Sequence, residues 1–100
     1  MADFPDRIEA LKADATTARA DSLQTMLTTV SVSADLAETE RAIGDPGGAL
    51  QALQRAEAGL AKAREFLANP KHRLPEELRR ELNERADALR TRLDDLKRSA

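Results

Sequence analysis

Apolar residues recur along most of this chain at the three- and four-residue spacing of an amphipathic helix. The first series begins just after Asp3, where Pro5 suits the first turn of a helix. Its members, all on one stripe, are Phe4, Ile8, Leu11, Ala15 and Ala18, continued by Ser22, Leu23, Met26 and Val30. The pattern therefore predicts a first helix that starts at about residue 4.

The apolar series changes phase near Val30. At 100° per residue, Val32, Leu36 and Ile43 lie roughly opposite Val30 on a helix. Residues 28–33 are only threonine, valine and serine, which are weak helix formers. Two interpretations remain open. The first helix breaks or kinks near Val30–Ser33, or it continues to about residue 43 and is buried on two sides.

A short glycine-rich stretch separates this region from the next apolar series. Gly44 can take the left-handed conformation that ends a helix. Asp45 can cap the free N–H groups of a following helix, and Pro46 fits the first turn of that helix. The stretch therefore predicts a tight αα-hairpin.

The second helix is predicted over residues 46–68, and Asn69-Pro70 ends it. Gly59 lies within it at a cost of roughly 1 kcal/mol relative to alanine. Gly59 either allows a close helix crossing or is simply tolerated. The apolar seam of this helix comprises Ala49, Leu53, Ala56, Leu60, Ala63 and Leu67.

The third helix is predicted over residues 75–98. It opens with Pro75-Glu76-Glu77, a favourable first turn for the helix dipole. Its seam comprises Leu78, Leu82, Ala86, Leu89, Leu93 and Leu96. Three helices with short connections predict an all-α, three-helix up-down-up bundle, a single domain over residues 1–100 with a long first helix that is either continuous or kinked.

Composition narrows the class of protein. Only two of the 100 residues are aromatic, so leucine, alanine, isoleucine, valine and methionine must build the core. The chain has no cysteine, its acidic N-terminus lacks the apolar run of a signal peptide, and no window is long enough to span a membrane. We therefore expect a soluble cytoplasmic protein without contact to membranes.

Charge is distributed unevenly. Residues 1–48 carry four basic and nine acidic side chains, a net charge of −5, whereas residues 70–100 carry nine basic and seven acidic ones, a net charge of +2. An acidic first helix packed beside a mildly basic last helix accounts for this pattern.

A surface that binds phosphates is the alternative interpretation of the basic region 71–80. Its candidate phosphate contacts are Lys71, Arg73, Arg79 and Arg80. The chain is net −2 overall, glutamates interleave with these residues, and there are no aromatic residues suited to stacking on bases. A nucleic-acid-associated helical protein is therefore the alternative function and not the favoured one.

The sequence contains no recognisable catalytic or metal-binding motif. The single histidine, His72, lies in a predicted exposed loop between two basic residues, and there is no cysteine, tyrosine or tryptophan. Asn69 stands where a Glu-x-x-His metal pair would need a glutamate. Gly47-Gly48 lacks the strand and the lysine of a phosphate-binding loop. We predict a non-enzymatic protein with no catalytic residues, no cofactor and no metal.

Thirteen residues, 22–34, carry no charge in a chain that is 34% charged. The segment is either flanked on both sides by its own bundle or forms a contact surface for a partner. A continuous first helix would be about 60 Å long and its two partners about 35 Å, so part of it would stay uncovered. We therefore predict a protein-interaction or scaffold module, and specifically a homodimer. Its predicted interface residues are Leu23, Met26, Leu27, Val30 and Val32.

The hairpin region resembles a tetratricopeptide (TPR) helix pair. The residues that carry this resemblance lie within 36–56 and are Leu36, Ala37, Gly44, Asp45, Ala49, Leu53 and Ala56. The region is also similar to the MIT domain, a three-helix bundle whose third helix resembles the stretch from Leu78 to Leu96. The resemblance implies that a groove between helices binds a peptide or a helix.

Overall fold

The computed structural model describes the backbone of residues 3–98 and the side chains of residues 16–98. This part of the chain forms three α-helices, α1 (Asp3–Ala42), α2 (Pro46–Ala68) and α3 (Glu76–Arg98), and contains no strand. Each helix packs against the other two. The all-α, three-helix up-down-up bundle predicted from the sequence is confirmed.

Helix α1 is continuous through the segment of weak helix formers. Val30 in this segment and Leu27 just before it are fully buried, so tertiary packing outweighs the low helix propensity of the neighbouring residues. Val32 and Leu36, on the opposite side, are exposed. The break is therefore absent, and α1 is buried within this chain on one side and not on two.

The α1–α2 hairpin is closed by the residues that the sequence indicated. Gly44 has a φ of +83°, in the left-handed region that favours glycine, and its N–H donates to the carbonyl of Arg41 (3.1 Å). Asp45 caps α2, because its Oδ1 accepts a hydrogen bond from the N–H of Gly48 at 2.9 Å. Helix α2 begins at the next residue, Pro46, and therefore runs antiparallel to α1.

The core contains small and aliphatic side chains from all three helices. Among the side chains of residues 16–98, every buried one is hydrophobic. On α1 they are Ala20, Leu23, Leu27, Val30, Ala34 and Ala37; on α2, Ala49, Ala52, Leu53, Ala56, Leu60, Ala63 and Leu67; on α3, Leu82, Ala86, Leu89, Leu93 and Leu96. Six of the seven buried α2 positions form the predicted seam of that helix.

Gly59 lies where α1 and α2 approach closely. A Cβ atom built on Gly59 would stand only 2.9 Å from Cγ2 of Val30, closer than two such atoms normally come. Of the two explanations for this glycine, the structure therefore supports the close crossing.

Ion pairs connect α3 to both of the other helices. Arg92 forms ion pairs with Asp35 and Glu38 of α1. Arg64 of α2 reaches Asp87 of α3 at 2.7 Å. The uneven charge along the sequence thus corresponds to an acidic α1 segment beside a basic α3 segment.

A second ion-pair cluster joins α2 to the end of α3. Glu57 accepts hydrogen bonds from Lys97 and from Arg90, and Arg90 also contacts Asp94 at 2.7 Å. The pKa of the Glu57 carboxyl is lowered mainly by the Lys97 hydrogen bond. Burial opposes this effect, and the Arg90 hydrogen bond and the charges of both cations add to the lowering. Glu57 is therefore held in its charged form by two cations.

Helix α1 extends beyond its two partners. It has 40 residues against 23 in each of α2 and α3, so it is about 60 Å long and they are about 35 Å. The guanidinium of Arg19 is 3.5 Å from the carbonyl of Arg73, which places the α2–α3 loop beside residue 19. The predicted Phe4–Leu11 stripe precedes this point, and its side chains lie outside the described residues.

Candidate helix-docking face

Three of the five predicted interface residues lie in the core of the chain itself. Leu23, Leu27 and Val30 are at most 1% exposed, and Met26 packs against the same core. The sequence prediction is corrected here, because α2 and α3 already cover these side chains and leave them no surface for a partner. Of the five, Val32 alone is well exposed, at 60%.

The large exposed hydrophobic side chains of the described region concentrate on the outward side of α1. Val32, Leu36 and Ile43 are 60%, 41% and 70% exposed. Ile43 directly follows α1, and its N–H donates to the carbonyl of Thr39 (3.1 Å), so it continues the helical turn. Leu50, 56% exposed, lies on α2.

These three residues belong to a longer series on α1, which we call the outer seam. Its members in the described region follow one another at alternating spacings of four and three residues, and all are exposed. They are Ala18, Ser22, Thr25, Thr29, Val32, Leu36, Thr39 and Ile43. From Ser22 to Thr39 each lies two residues after a buried position of α1, which is about 200° around the helix. Helix α1 therefore carries two heptad-spaced series on opposite sides, and only one of them is covered.

The outer seam has no charged member, and two of its polar side chains, Thr29 and Thr39, are hydrogen-bonded within the helix. The hydroxyl of Thr29 donates to the carbonyl of Thr25 at 2.9 Å, and the hydroxyl of Thr39 donates to that of Asp35 at 3.0 Å. A hydroxyl that is bonded in this way loses less on burial than a free one. The seam can therefore be covered by another apolar surface at modest cost.

Charged groups lie along one edge of the outer seam. Asp35 is paired with Arg92, and the guanidinium of Arg85 donates to Thr28 Oγ1 at 3.1 Å. Asp21 lines a surface depression of about 340 Å³ near the start of the seam, together with Gln24, Thr25, Thr28 and Thr29. The arrangement is an uncharged strip of aliphatic and hydroxyl side chains with a charged edge, and protein interfaces likewise keep charged residues at the rim.

The candidate phosphate contacts occupy different environments. Lys71, Arg73 and Arg80 are exposed. Arg79 is half-buried, and its guanidinium donates to the carbonyls of Leu67 (3.0 Å) and His72 (2.9 Å).

Arg79 therefore ties the end of α2 and the following loop to α3. Among the four candidate phosphate contacts, Arg79 is the one whose guanidinium is hydrogen-bonded to backbone carbonyls of the protein. The nucleic-acid alternative stays a prediction.

His72 is half-buried and not in an open loop. Its ring stacks on Phe66 with centroids 3.8 Å apart and planes 15° from parallel, and its Nδ1 is 3.3 Å from the Phe66 carbonyl oxygen. Within the described residues there is no group of three or more His, Cys, Asp or Glu side chains placed to hold a metal ion. The described helices also include none with the length and apolarity needed to cross a membrane.

Sequence reasoning missed Leu36 and Ile43 as candidate contact residues. It placed them on the face opposite Val30, which is where the structure has them, but assigned four of the five interface residues to the side that packs into the core. The sequence signal that identifies them is the alternating spacing of four and three residues. Followed from Ser22 with a period of 3.5 residues, this spacing leads to Val32 and Leu36.

Comparisons with protein-family models, with curated proteins and with solved structures gave no match. The resemblance of residues 36–56 to a TPR or MIT-type hairpin therefore stays a prediction.

Proposed function

We propose that this protein is a non-enzymatic interaction module that binds an α-helix of a protein partner along the outer seam of α1. One observation carries the proposal: a heptad-spaced, uncharged and exposed face on a helix whose opposite face is buried from Ala20 to Ala37. Heptad-spaced apolar positions are the contact positions of helix pairs.

Energetics supports binding at this face over exposure to water. Three aliphatic side chains, Val32, Leu36 and Ile43, remain exposed to water, Leu36 in part. Removing apolar surface from water contributes about 25 cal/mol per Å². A partner helix that covers the seam gains this contribution without opening the bundle, because the seam takes no part in the core.

The test compares proteins captured by the tagged chain in extracts of its native host. The variant Leu36→Glu places a charge in the middle of the seam, at a position whose side chain is already part-exposed, so the fold should persist. Leu50→Glu makes the same change at a similarly exposed leucine of α2 and serves as the matched control. Circular dichroism checks that both variants remain helical.

We expect a captured protein, either another protein or an untagged copy of the chain, that wild type and Leu50→Glu retain and Leu36→Glu loses. The purified captured protein must then bind wild type directly and discriminate between the same two variants. If all three proteins capture the same set, the outer seam is a solvated surface and the proposal fails.

A further inference from the structure

We infer that the partner of the outer seam is a second copy of this chain, bound α1 to α1 in a two-stranded coiled coil with two-fold symmetry. The inference rests on the proposed function and names its partner.

The length of the seam is the first argument. In the sequence, the four-three spacing continues backwards from Ala18 through Ala15, Leu11 and Ile8 to Phe4. These residues begin the stripe predicted above, but a seven-residue repeat leads from them to Thr25 and Val32 and not to the buried Leu23 and Val30. The full series has twelve positions and ends at Ile43, so it runs along about 60 Å of helix at 1.5 Å per residue. Helices α2 and α3 are about 35 Å long and already packed on the other face. Among the helices of the chain, only another α1 matches the seam in length.

The absence of charge is the second argument. One residue in three of this chain is charged, yet none of the twelve seam positions is. In a two-fold interface the same patch of each copy meets, so a charged residue near the symmetry axis would face the same charge on the other copy. A seam without charges meets this condition of self-complementarity. A partner of different charge would instead be selected by charged residues of the opposite sign.

The area available is the third argument. A strip about 60 Å long and about 12 Å wide, the diameter of a helix with its side chains, covers about 700 Å² on each protomer. Stable interfaces bury about 800 Å² per partner. The stretch from Ala18 to Ile43 alone would supply about 450 Å². A pair of α1 helices in contact along their full length therefore approaches what a dimer needs.

A substitution at Thr29 tests the dimer by adding an apolar side chain to the seam instead of removing one. Thr29 is exposed on the seam, and Thr91 is exposed on α3; each hydroxyl donates to the carbonyl four residues earlier (2.9 and 3.2 Å). Thr29→Leu and Thr91→Leu therefore change the same local interactions, and only the first changes the seam.

Sedimentation equilibrium of the purified full chain, from micromolar to several hundred micromolar, measures the dimer dissociation constant. We expect wild type to dimerise and Thr29→Leu to tighten the dimer at least about tenfold, since symmetry places the added side chain in the interface twice. Thr91→Leu should leave the constant unchanged. Leu36→Glu should weaken the dimer by more than about tenfold, while Leu50→Glu should not.

Wild type and Thr29→Leu both remaining monomeric across this range would overturn the inference. A dimer that is indifferent to both Thr29→Leu and Leu36→Glu would overturn it as well, because that dimer would use another face. A monomer that still captures a different protein through Leu36 would refute the second copy and leave the proposed function standing. A monomer whose capture is unaffected by Leu36→Glu would refute both.

Discussion

At the scale of single residues, the most informative position is Gly59. Its missing side chain makes room for Val30 of α1, so the position serves packing between helices and not the helix that contains it. Sequence reasoning identified the cost of this glycine within a helix but left its purpose open. The partner atom lies 29 residues earlier in the chain, and no local pattern marks it.

We expect Gly59→Ala to destabilise the protein by about 1 kcal/mol. The gain in helix propensity, about 1 kcal/mol, is exceeded by the overpacking that a Cβ atom 2.9 Å from Val30 Cγ2 would cause, which typically costs about 1–3 kcal/mol. Urea denaturation of the two proteins measures the difference.

The same substitution in a Val30→Ala background separates the two contributions. With the valine methyls gone, Gly59→Ala should stabilise the chain by up to about 1 kcal/mol, because only the propensity gain remains. A destabilisation of equal size in both backgrounds would show that Val30 is not the source of the strain.

At the scale of elements, the ends of the helices were predictable and the assignment of faces was not. Gly44, Asp45 and Pro46 act on their immediate neighbours, so their types indicate the hairpin directly. Which side of α1 meets the bundle depends on α2 and α3. The core takes the more hydrophobic side of the helix, with Leu23, Leu27 and Val30, and leaves the threonines of the opposite side in water. This choice can be predicted only by comparing both sides along the whole helix.

The junction between α2 and α3 depends on Arg79. We expect Arg79→Ala to destabilise the protein by about 1–3 kcal/mol, since the carbonyls of Leu67 and His72 lose a charged donor in a half-buried setting. Arg80→Ala, at the exposed neighbouring position, should change stability by less than about 0.5 kcal/mol. Chemical denaturation measures both variants, and equal effects would mean that the two carbonyl contacts do not stabilise the junction.

At the scale of the whole molecule, ion pairs between helices make stability depend on pH. Because the pKa of Glu57 is lowered in the fold, its contribution is fully present above the ordinary glutamate pKa of about 4.3 and is lost as the pH falls through the lower, folded value. The contribution should be modest, roughly 1 kcal/mol or less, because the side chains involved are partly exposed.

We therefore expect Glu57→Gln to be less stable than wild type at pH 7 by roughly 1 kcal/mol or less, and the difference to shrink towards zero below about pH 4. Urea denaturation across this range measures it. Glu65→Gln, at an exposed position of the same helix, is the control for the loss of one negative charge. A difference that persists at low pH would assign the effect to something other than ionised Glu57.

The extension of α1 beyond its partners also governs how the chain rotates in solution. A body of 66 × 18 × 16 Å spins quickly about its long axis and turns end over end slowly. Backbone N–H bonds in an α-helix point nearly along the helix axis, and the axis of α1 is the long axis of this body. Amide nitrogens in the helices therefore sense mainly the slow rotation, whereas those of the α2–α3 loop, with bonds in other directions, also sense the fast one.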